Sequence, residues 1–250
     1  MGEKERGLAT GKGNVKPSLP KRFYKDVAVA DDGALLLDGK PVRTLGKAPL
    51  TLPSRALADA VAGEWRAQGE RIDPTTMPLT KLANSAIDGV VGREQAVIDD
   101  IMAHAAADLV CYRAPGPQGL VEAQAKHWEP VLAWAKDTLG APLLLGKGVV
   151  HVAQPQASLD RLRQALEGRD GFSLAAVHVM TALGGSALLA LAVALGRMTP
   201  EEAWQATHVD EDWQIGQWGE DAEAADRRES RRRDFAAAAR ALALLQAPSK

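Results

Sequence analysis

The feature that most limits the fold of this chain is a long stretch without any charged side chain, from Phe172 to Gly196. Its length would suffice for a membrane-spanning helix. However, it is rich in Ala, contains His178 and Thr181, and is interrupted by the pair Gly184-Gly185. A helix that is apolar on all sides can also form the centre of a helical domain. The sequence therefore favours a buried helix over 172–196 and leaves a membrane-anchored factor as an alternative.

A different pattern precedes this helix. Four short extended candidates, FYKDVAVA, ALLLD, PVRTL and APLTLP, are separated by turn signals such as DDG and DGK. This pattern predicts a small antiparallel sheet over 22–53. From Ser54 onwards the period becomes helical, with Leu57, Val61 and Trp65 on one face.

We therefore predict an α+β fold, with a small β-rich N-terminal unit followed by a larger, mostly helical C-terminal domain. The predicted boundaries are a flexible tail over 1–21, the β-rich domain with one helix over 22–75, and the helical domain over 76–250. In that domain the sequence predicts helices at about 79–91, 93–112, 121–139, 156–168, 172–196, 199–217 and 219–246. Pro130 predicts a kink or a restart in the third of these, and 143–153 reads as an extended pair.

Charge and cysteine content exclude several classes of protein. The 30 Lys and Arg against 32 Asp and Glu leave a net charge of −2, which argues against a nucleic-acid partner. A single cysteine, Cys111, excludes an intrachain disulfide and a cysteine-rich zinc site. The chain therefore suits a reducing compartment.

Motifs for catalysis are weak throughout. The chain has no complete phosphate-binding loop and no Gly-x-Ser-x-Gly elbow, and no two histidines lie three or four residues apart. The densest polar cluster is His208, Asp210, Glu211 and Asp212, which could bind a divalent ion. A small metal-dependent hydrolase using that cluster is therefore an alternative, while the leading prediction is a chain without a cofactor.

The same region also interleaves tryptophans with acids, in the segment HVDEDWQIGQWGEDAE over 208–223. Such a composition suits a protein-binding surface, where Trp supplies contact area and the acids select the partner. It equally suits two Trp docked on the core beside a solvated acidic rim at the start of the next helix. The residues alone leave both interpretations open.

Several segments, in this order and spacing, match a known family. They are RFYKDVAV, LDGKPVRTLGKAPLTLP, EWRAQGERIDPTTMPLTKLANSAID, DLVCYR, the helix with Trp128, Pro130 and Trp134, and VDEDWQIGQWGEDAEA. The chain resembles the assembly chaperones of the ATP synthase F-one sector that act on its α subunit (the ATP-twelve chaperone family), in its alphaproteobacterial branch. This resemblance covers about residues 22–245.

The resemblance implies a β-rich then helical fold and a chaperone rather than an enzyme. It implies that the partner is the unassembled α subunit, held until the β subunit replaces the chaperone. We expect a free monomer without stable membrane insertion, cytoplasmic in bacteria and in the mitochondrial matrix for eukaryotic relatives. The expected partner-binding residues are Asp210, Glu211, Asp212, Trp213, Gln214, Trp218, Gly219 and Glu220, with Glu211 as the first choice for a single important acid.

Overall fold

A small β-rich unit precedes ten α-helices in a computed structural model, which describes residues 19–148 and 150–246. This confirms the predicted α+β class. The predicted flexible tail, 1–21, lies outside the described residues except for its last three. The strands are β1 (Val27–Val29), β2 (Leu35–Leu37), β3 (Lys40–Pro41), β4 (Tyr112–Arg113) and β5 (Gly146–Lys147).

The first three strands form the antiparallel sheet that the sequence predicts. Their order is β1-β2-β3, with Val27 opposite Leu37 and Leu36 opposite Pro41. Gly33, at φ +83°, turns the chain between β1 and β2, and a side chain there would overlap the Leu52 carbonyl oxygen. This close approach is why the turn needs glycine.

The helices follow in chain order. They are α1 (Arg55–Arg66), α2 (Pro78–Ser85), α3 (Glu94–Ala106), α4 (Gln118–Leu139), α5 (Gln156–Leu166), α6 (Gly171–Gly184), α7 (Ala187–Ala194), α8 (Pro200–Thr207), α9 (Val209–Trp218) and α10 (Ala222–Gln246). A π-helical segment, Ala86–Val90, extends α2, and 3-10 turns lie at Pro74–Thr76 and Leu109–Cys111. Helix α4 continues through Pro130 instead of restarting there.

The uncharged stretch forms two helices, so the prediction of one helix over 172–196 is wrong. Gly185 ends α6 in the left-handed conformation, at φ +68°. The Ser186 side chain then accepts a hydrogen bond from the Leu189 amide and begins α7. Helix α6 packs against α3, α7 and α10. Among the helices of the described ranges, none combines the length and the apolarity that crossing a bilayer requires.

Two other predicted elements also differ. The predicted helix over 199–217 is divided at His208, whose backbone angles of φ −117° and ψ 16° are not helical and separate α8 from α9. The predicted extended pair within 143–153 does not form among the described residues of this range. Instead, β5 pairs in parallel with the distant β4, placing Tyr112 opposite Gly146. A pairing partner so far along the chain leaves no local signal in the sequence.

One continuous hydrophobic core joins the sheet to the helices. It includes Leu35 and Leu50 from the β-rich unit and Trp128, Leu189 and Phe235 from the helical part. The Trp128 indole donates to the Ala206 carbonyl oxygen at 2.7 Å, which fixes α4 against α8. This core positions the segment that carries the predicted binding residues.

Candidate protein-binding surface

Helix α9 carries most of the predicted binding residues. Three consecutive acids, Asp210, Glu211 and Asp212, occupy its first turn. Carboxylates at this end are favoured by the partial positive charge of the helix N-terminus. The first residue of the helix, Val209, is buried in the core and fixes this end of α9.

His208 is a structural residue. Its side chain is 4% exposed, and its ring lies 3.8 Å, centroid to centroid, from that of Trp204. Its Nδ1 lies 2.9 Å from the Trp204 carbonyl oxygen. When Nδ1 carries the proton, it donates a hydrogen bond to that oxygen. Burial lowers the pKa of His208 below its usual value, although the bond to Trp204 opposes this effect. The neutral imidazole therefore holds the junction between α8 and α9.

Two of the three acids attach α9 to its neighbours. Asp210 accepts a hydrogen bond of 2.6 Å from the side-chain amide of Gln124 on α4. The buried Gln124 also accepts a bond of 2.9 Å from the Ala114 amide, so its orientation is fixed. Asp212 forms an ion pair with Arg228 on α10. These contacts give Asp210 and Asp212 a positioning role in the free chain.

Glu211 makes weaker contacts with neighbouring side chains than the acids on either side of it. Its side chain is 40% exposed, and its Oε2 lies 3.8 Å from Nε2 of His208, which is beyond hydrogen-bond distance. The carboxylate is therefore available to a partner at little cost to the fold.

The two tryptophans of the segment have opposite environments. Trp213 is half-buried and packs closely on Gly119 at the start of α4, where a larger side chain would overlap its ring. Trp218, at the end of α9, is 88% exposed. The helix stops at Gly219, whose φ of +85° favours glycine. An exposed tryptophan offers a large apolar contact area, and tryptophan is enriched among the residues that dominate protein interfaces.

The predicted residues form a strip of exposed and partly exposed side chains, which we call the exposed strip. The exposed members are Asp210, Asp212, Gln214, Trp218, Gly219 and Glu220, and the partly buried ones are Glu211 and Trp213. The sequence prediction did not include the supporting residues Gln124, Gly119 and Arg228. The charge run over 227–233 could have suggested Arg228, but no local signal marks Gln124 or Gly119.

The geometry does not favour the metal-dependent alternative. Asp210 accepts a hydrogen bond from Gln124, and Asp212 pairs with Arg228. The Nδ1 of His208 faces the Trp204 carbonyl oxygen of α8. Across the described part of the chain, no three His, Cys, Asp or Glu side chains converge on a point that could hold a metal ion.

Comparisons with known proteins agree on one family. The model of the ATP12 chaperone protein family matches residues 21–136. A Schizosaccharomyces pombe protein, described as "Protein atp12, mitochondrial", is 25% identical over 228 residues, which cover 84% of this chain and 78% of that protein.

Solved structures match over nearly the whole chain. A protein from Agrobacterium tumefaciens is 49% identical with a TM-score of 0.86, covering 91% of this chain and 87% of that one. Atp12 from Paracoccus denitrificans is 40% identical with a TM-score of 0.82, covering 91% and 99%. A variant of the Paracoccus protein with one aspartate replaced by lysine has the same TM-score. The chain therefore belongs to the ATP12 family, whose members are chaperones of ATP synthase assembly and not enzymes.

Proposed function

We propose that this chaperone binds the unassembled α subunit of the ATP synthase F-one sector and promotes its assembly with the β subunit. We propose further that the exposed strip, which runs from Asp210 on α9 to Glu220 just beyond its end, contacts the client. The observation that carries this proposal is the exposure of Trp218 beside a row of acids. Aromatic anchors surrounded by charged residues are typical of the centres of protein interfaces.

An unassembled subunit needs such a chaperone because of the surface that it exposes. A subunit that awaits its partner exposes a large apolar interface, and such a surface aggregates. A chaperone that covers it with moderate affinity prevents aggregation, and the larger interface of the true partner then displaces the chaperone. This exchange requires no nucleotide hydrolysis.

We also propose that the chain acts as a monomer in the bacterial cytoplasm. Two solved relatives come from bacteria, and Cys111 is buried and free, as suits a reducing compartment. Sedimentation of the purified chain tests the monomeric state.

The direct test is co-expression of the chain with a tagged α subunit in the absence of β. We expect the two proteins to co-purify and the α subunit to stay in the supernatant. Glu211→Lys should weaken this complex by about tenfold or more, because it reverses a charge at the interface. The chaperone should still fold, because Glu211 supports no neighbouring element.

A matched control is Glu167→Lys, an equal charge reversal at an exposed position at the end of α5. It should leave co-purification unchanged. If Glu211→Lys binds α as the wild type does, α9 is not the contact surface. If the wild type recovers no α, the client is another subunit.

A further inference from the structure

Helix α9 is short and buries little of its own surface. Within this fully described helix of ten residues, Val209 is buried and Glu211, Trp213 and Ile215 are partly buried. A helix of this length is marginal in water unless it packs against its neighbours. The neighbour on which α9 mainly packs is α4, so the position of α9 depends on a few contacts between these two helices.

Two contacts with α4 lie in the first half of α9. Gln124 donates a hydrogen bond of 2.6 Å to the carboxylate of Asp210, and such a bond to a charged acceptor is stronger than one between neutral groups. About one turn further along α9, the ring of Trp213 covers Gly119, where an added β-carbon would overlap it. We call these two contacts together the α4–α9 contact.

The second half of α9 carries Trp218 but is mostly in solvent. Four of its five residues over 214–218 are exposed, and Ile215 is partly buried. Trp218 lies eight residues after Asp210, about 12 Å along the helix axis. A tilt of α9 by about 10° at its first turn would therefore move Trp218 by about 2 Å. The α4–α9 contact thus sets where the exposed tryptophan is presented.

Gln124 is suited to fix this tilt because its own side chain is held in one orientation. The residue is 1% exposed, and its Oε1 accepts a bond of 2.9 Å from the Ala114 amide, which leaves Nε2 to donate to Asp210. Turning the amide over would lose both bonds. A side chain buried this deeply does not touch a client, so any effect of Gln124 on binding must act through α9.

We propose that Gln124 is a positioning residue for client binding and that Gly119 supports the same role by leaving room for Trp213. Together they hold the exposed strip in the orientation that the α subunit recognises. The complex then forms without the entropy cost of ordering α9, which raises the affinity. This inference rests on the proposed function of the exposed strip.

Gln124→Met removes both hydrogen-bonding groups and keeps the length of the side chain. The matched control is Gln68→Met, because Gln68 is also buried, accepts a bond of 2.7 Å from the Asp73 amide and donates one of 3.0 Å to the Thr76 hydroxyl. These partners lie beside α1, away from α9. Both variants should lose a similar amount of stability, but Gln124→Met alone should release α9.

Gly119→Ala tests the α4–α9 contact by a different route. The added methyl group would displace the ring of Trp213, while alanine favours the helical conformation of α4. Client binding should therefore weaken without a loss of overall stability. Its control is Gly63→Ala in α1, where an added β-carbon meets no heavy atom within 4 Å.

The experiment measures two quantities on the full chain, the affinity for the purified α subunit and the hydrogen exchange of the α9 amides. Gln124→Met and Gly119→Ala should each weaken binding by about tenfold or more relative to their controls. The Asp212 amide, bonded to the His208 carbonyl oxygen at 2.8 Å, should exchange faster in both variants. The Ala190 amide in α7 should exchange as it does in the controls.

Reversing the donor and the acceptor separates the hydrogen bond from the packing around it. When Gln124→Glu is combined with Asp210→Asn, the amide introduced on α9 donates to the carboxylate introduced on α4, which still accepts from Ala114. This double variant should return the exchange of the α9 amides to the wild-type rate.

Three results would overturn the positioning role. They are equal affinities of Gln124→Met and Gln68→Met for the α subunit, unchanged exchange of the α9 amides in Gln124→Met, and no recovery of that exchange in the double variant. Glu211→Lys and Trp218→Ala distinguish this failure from that of the proposed function. If those two lose affinity and Gln124→Met does not, only the positioning role fails; if both bind the α subunit as the wild type does, the proposed client surface fails.

Discussion

Trp218 is the side chain that contributes most to the proposed client surface. It has 88% of its area exposed at the end of α9, so removing it changes little inside the chaperone. A buried interface tryptophan commonly contributes about 2 kcal/mol or more to binding. We therefore expect the Trp218 side chain to contribute to the binding free energy of the complex and not to the stability of the fold.

We predict that Trp218→Ala weakens binding to the α subunit about 30-fold, which corresponds to about 2 kcal/mol. The free energy of unfolding should change by less than about 0.5 kcal/mol. Isothermal titration and urea unfolding measure the two quantities. Phe23→Ala removes another exposed aromatic, from the β-rich unit, and should leave the affinity unchanged. An equal loss of affinity in both variants would contradict a specific role for Trp218 in binding the client.

Asp108 is a buried ionisable residue at the junction between a 3-10 turn and α7. Its carboxylate accepts bonds from the Val110 amide at 3.3 Å and the Leu188 amide at 2.9 Å, so it caps a 3-10 turn and the start of α7. Burial raises its pKa from 3.8 to about 6, although the bonds it accepts oppose this effect. The folded state therefore binds a proton at Asp108 more tightly than the unfolded state does.

It follows that the contribution of Asp108 to stability is full below pH 3.8 and is lost as the pH rises through about 6. The gap of about two pH units corresponds to roughly 3 kcal/mol. We predict that the unfolding free energy of the wild type, minus that of Asp108→Asn, falls by an amount of this order over that range. Urea unfolding as a function of pH measures it. A constant difference would show that Asp108 does not titrate in this range.

At the scale of elements, the division of the uncharged stretch into α6 and α7 sets the centre of the helical domain. Gly185 makes this division at φ +68°, and the nearest heavy atom to an added β-carbon is Leu109 Cβ at 4.0 Å. Space is therefore available for a side chain, and only the backbone conformation resists one.

We predict that Gly185→Ala lowers the free energy of unfolding by about 1–2 kcal/mol, the cost of a left-handed conformation for an L-residue. Gly63→Ala, inside the last turn of α1, should instead raise the free energy of unfolding by about 0.5–1 kcal/mol, because glycine is a poor helix former. Urea unfolding of both variants gives the comparison. A neutral Gly185→Ala would contradict this cost for the left-handed conformation at residue 185.

The same elements show how far the sequence predicts the structure. Short extended segments separated by turn signals predicted the β1-β2-β3 sheet. The helix predicted from about residue 199 begins there as α8, where the Glu202 amide donates to the Thr199 hydroxyl at 3.2 Å. These signals are local in the chain. By contrast, the break at Gly185 needed its backbone angle, and the pairing of β4 with β5 needed contacts between distant segments. Likewise, the exposed acids and Trp218 were predicted as site residues, but their supports on α4 and α10 were not.

At the scale of the whole molecule, the β-rich unit and the helices share one hydrophobic core. The sequence predicts two domains that meet at residues 75 and 76, yet buried Leu35 and Leu50 belong to the same core cluster as Leu189 and Phe235. The Ser54 hydroxyl also donates to the carbonyl oxygen of Leu244 at 2.9 Å, across most of the chain. Elements that share one core usually unfold together.

We therefore predict that the β-rich unit and the helical part unfold in a single transition. Hydrogen exchange tests this: the Leu35 amide, bonded to the Leu50 carbonyl oxygen, and the Ala190 amide in α7 should open with the same free energy in urea. Both should also follow the circular dichroism of the whole chain. If Leu35 exchanges at a lower urea concentration than Ala190, the β-rich unit is an independent domain. In that case, a client could displace it from the helices without unfolding them.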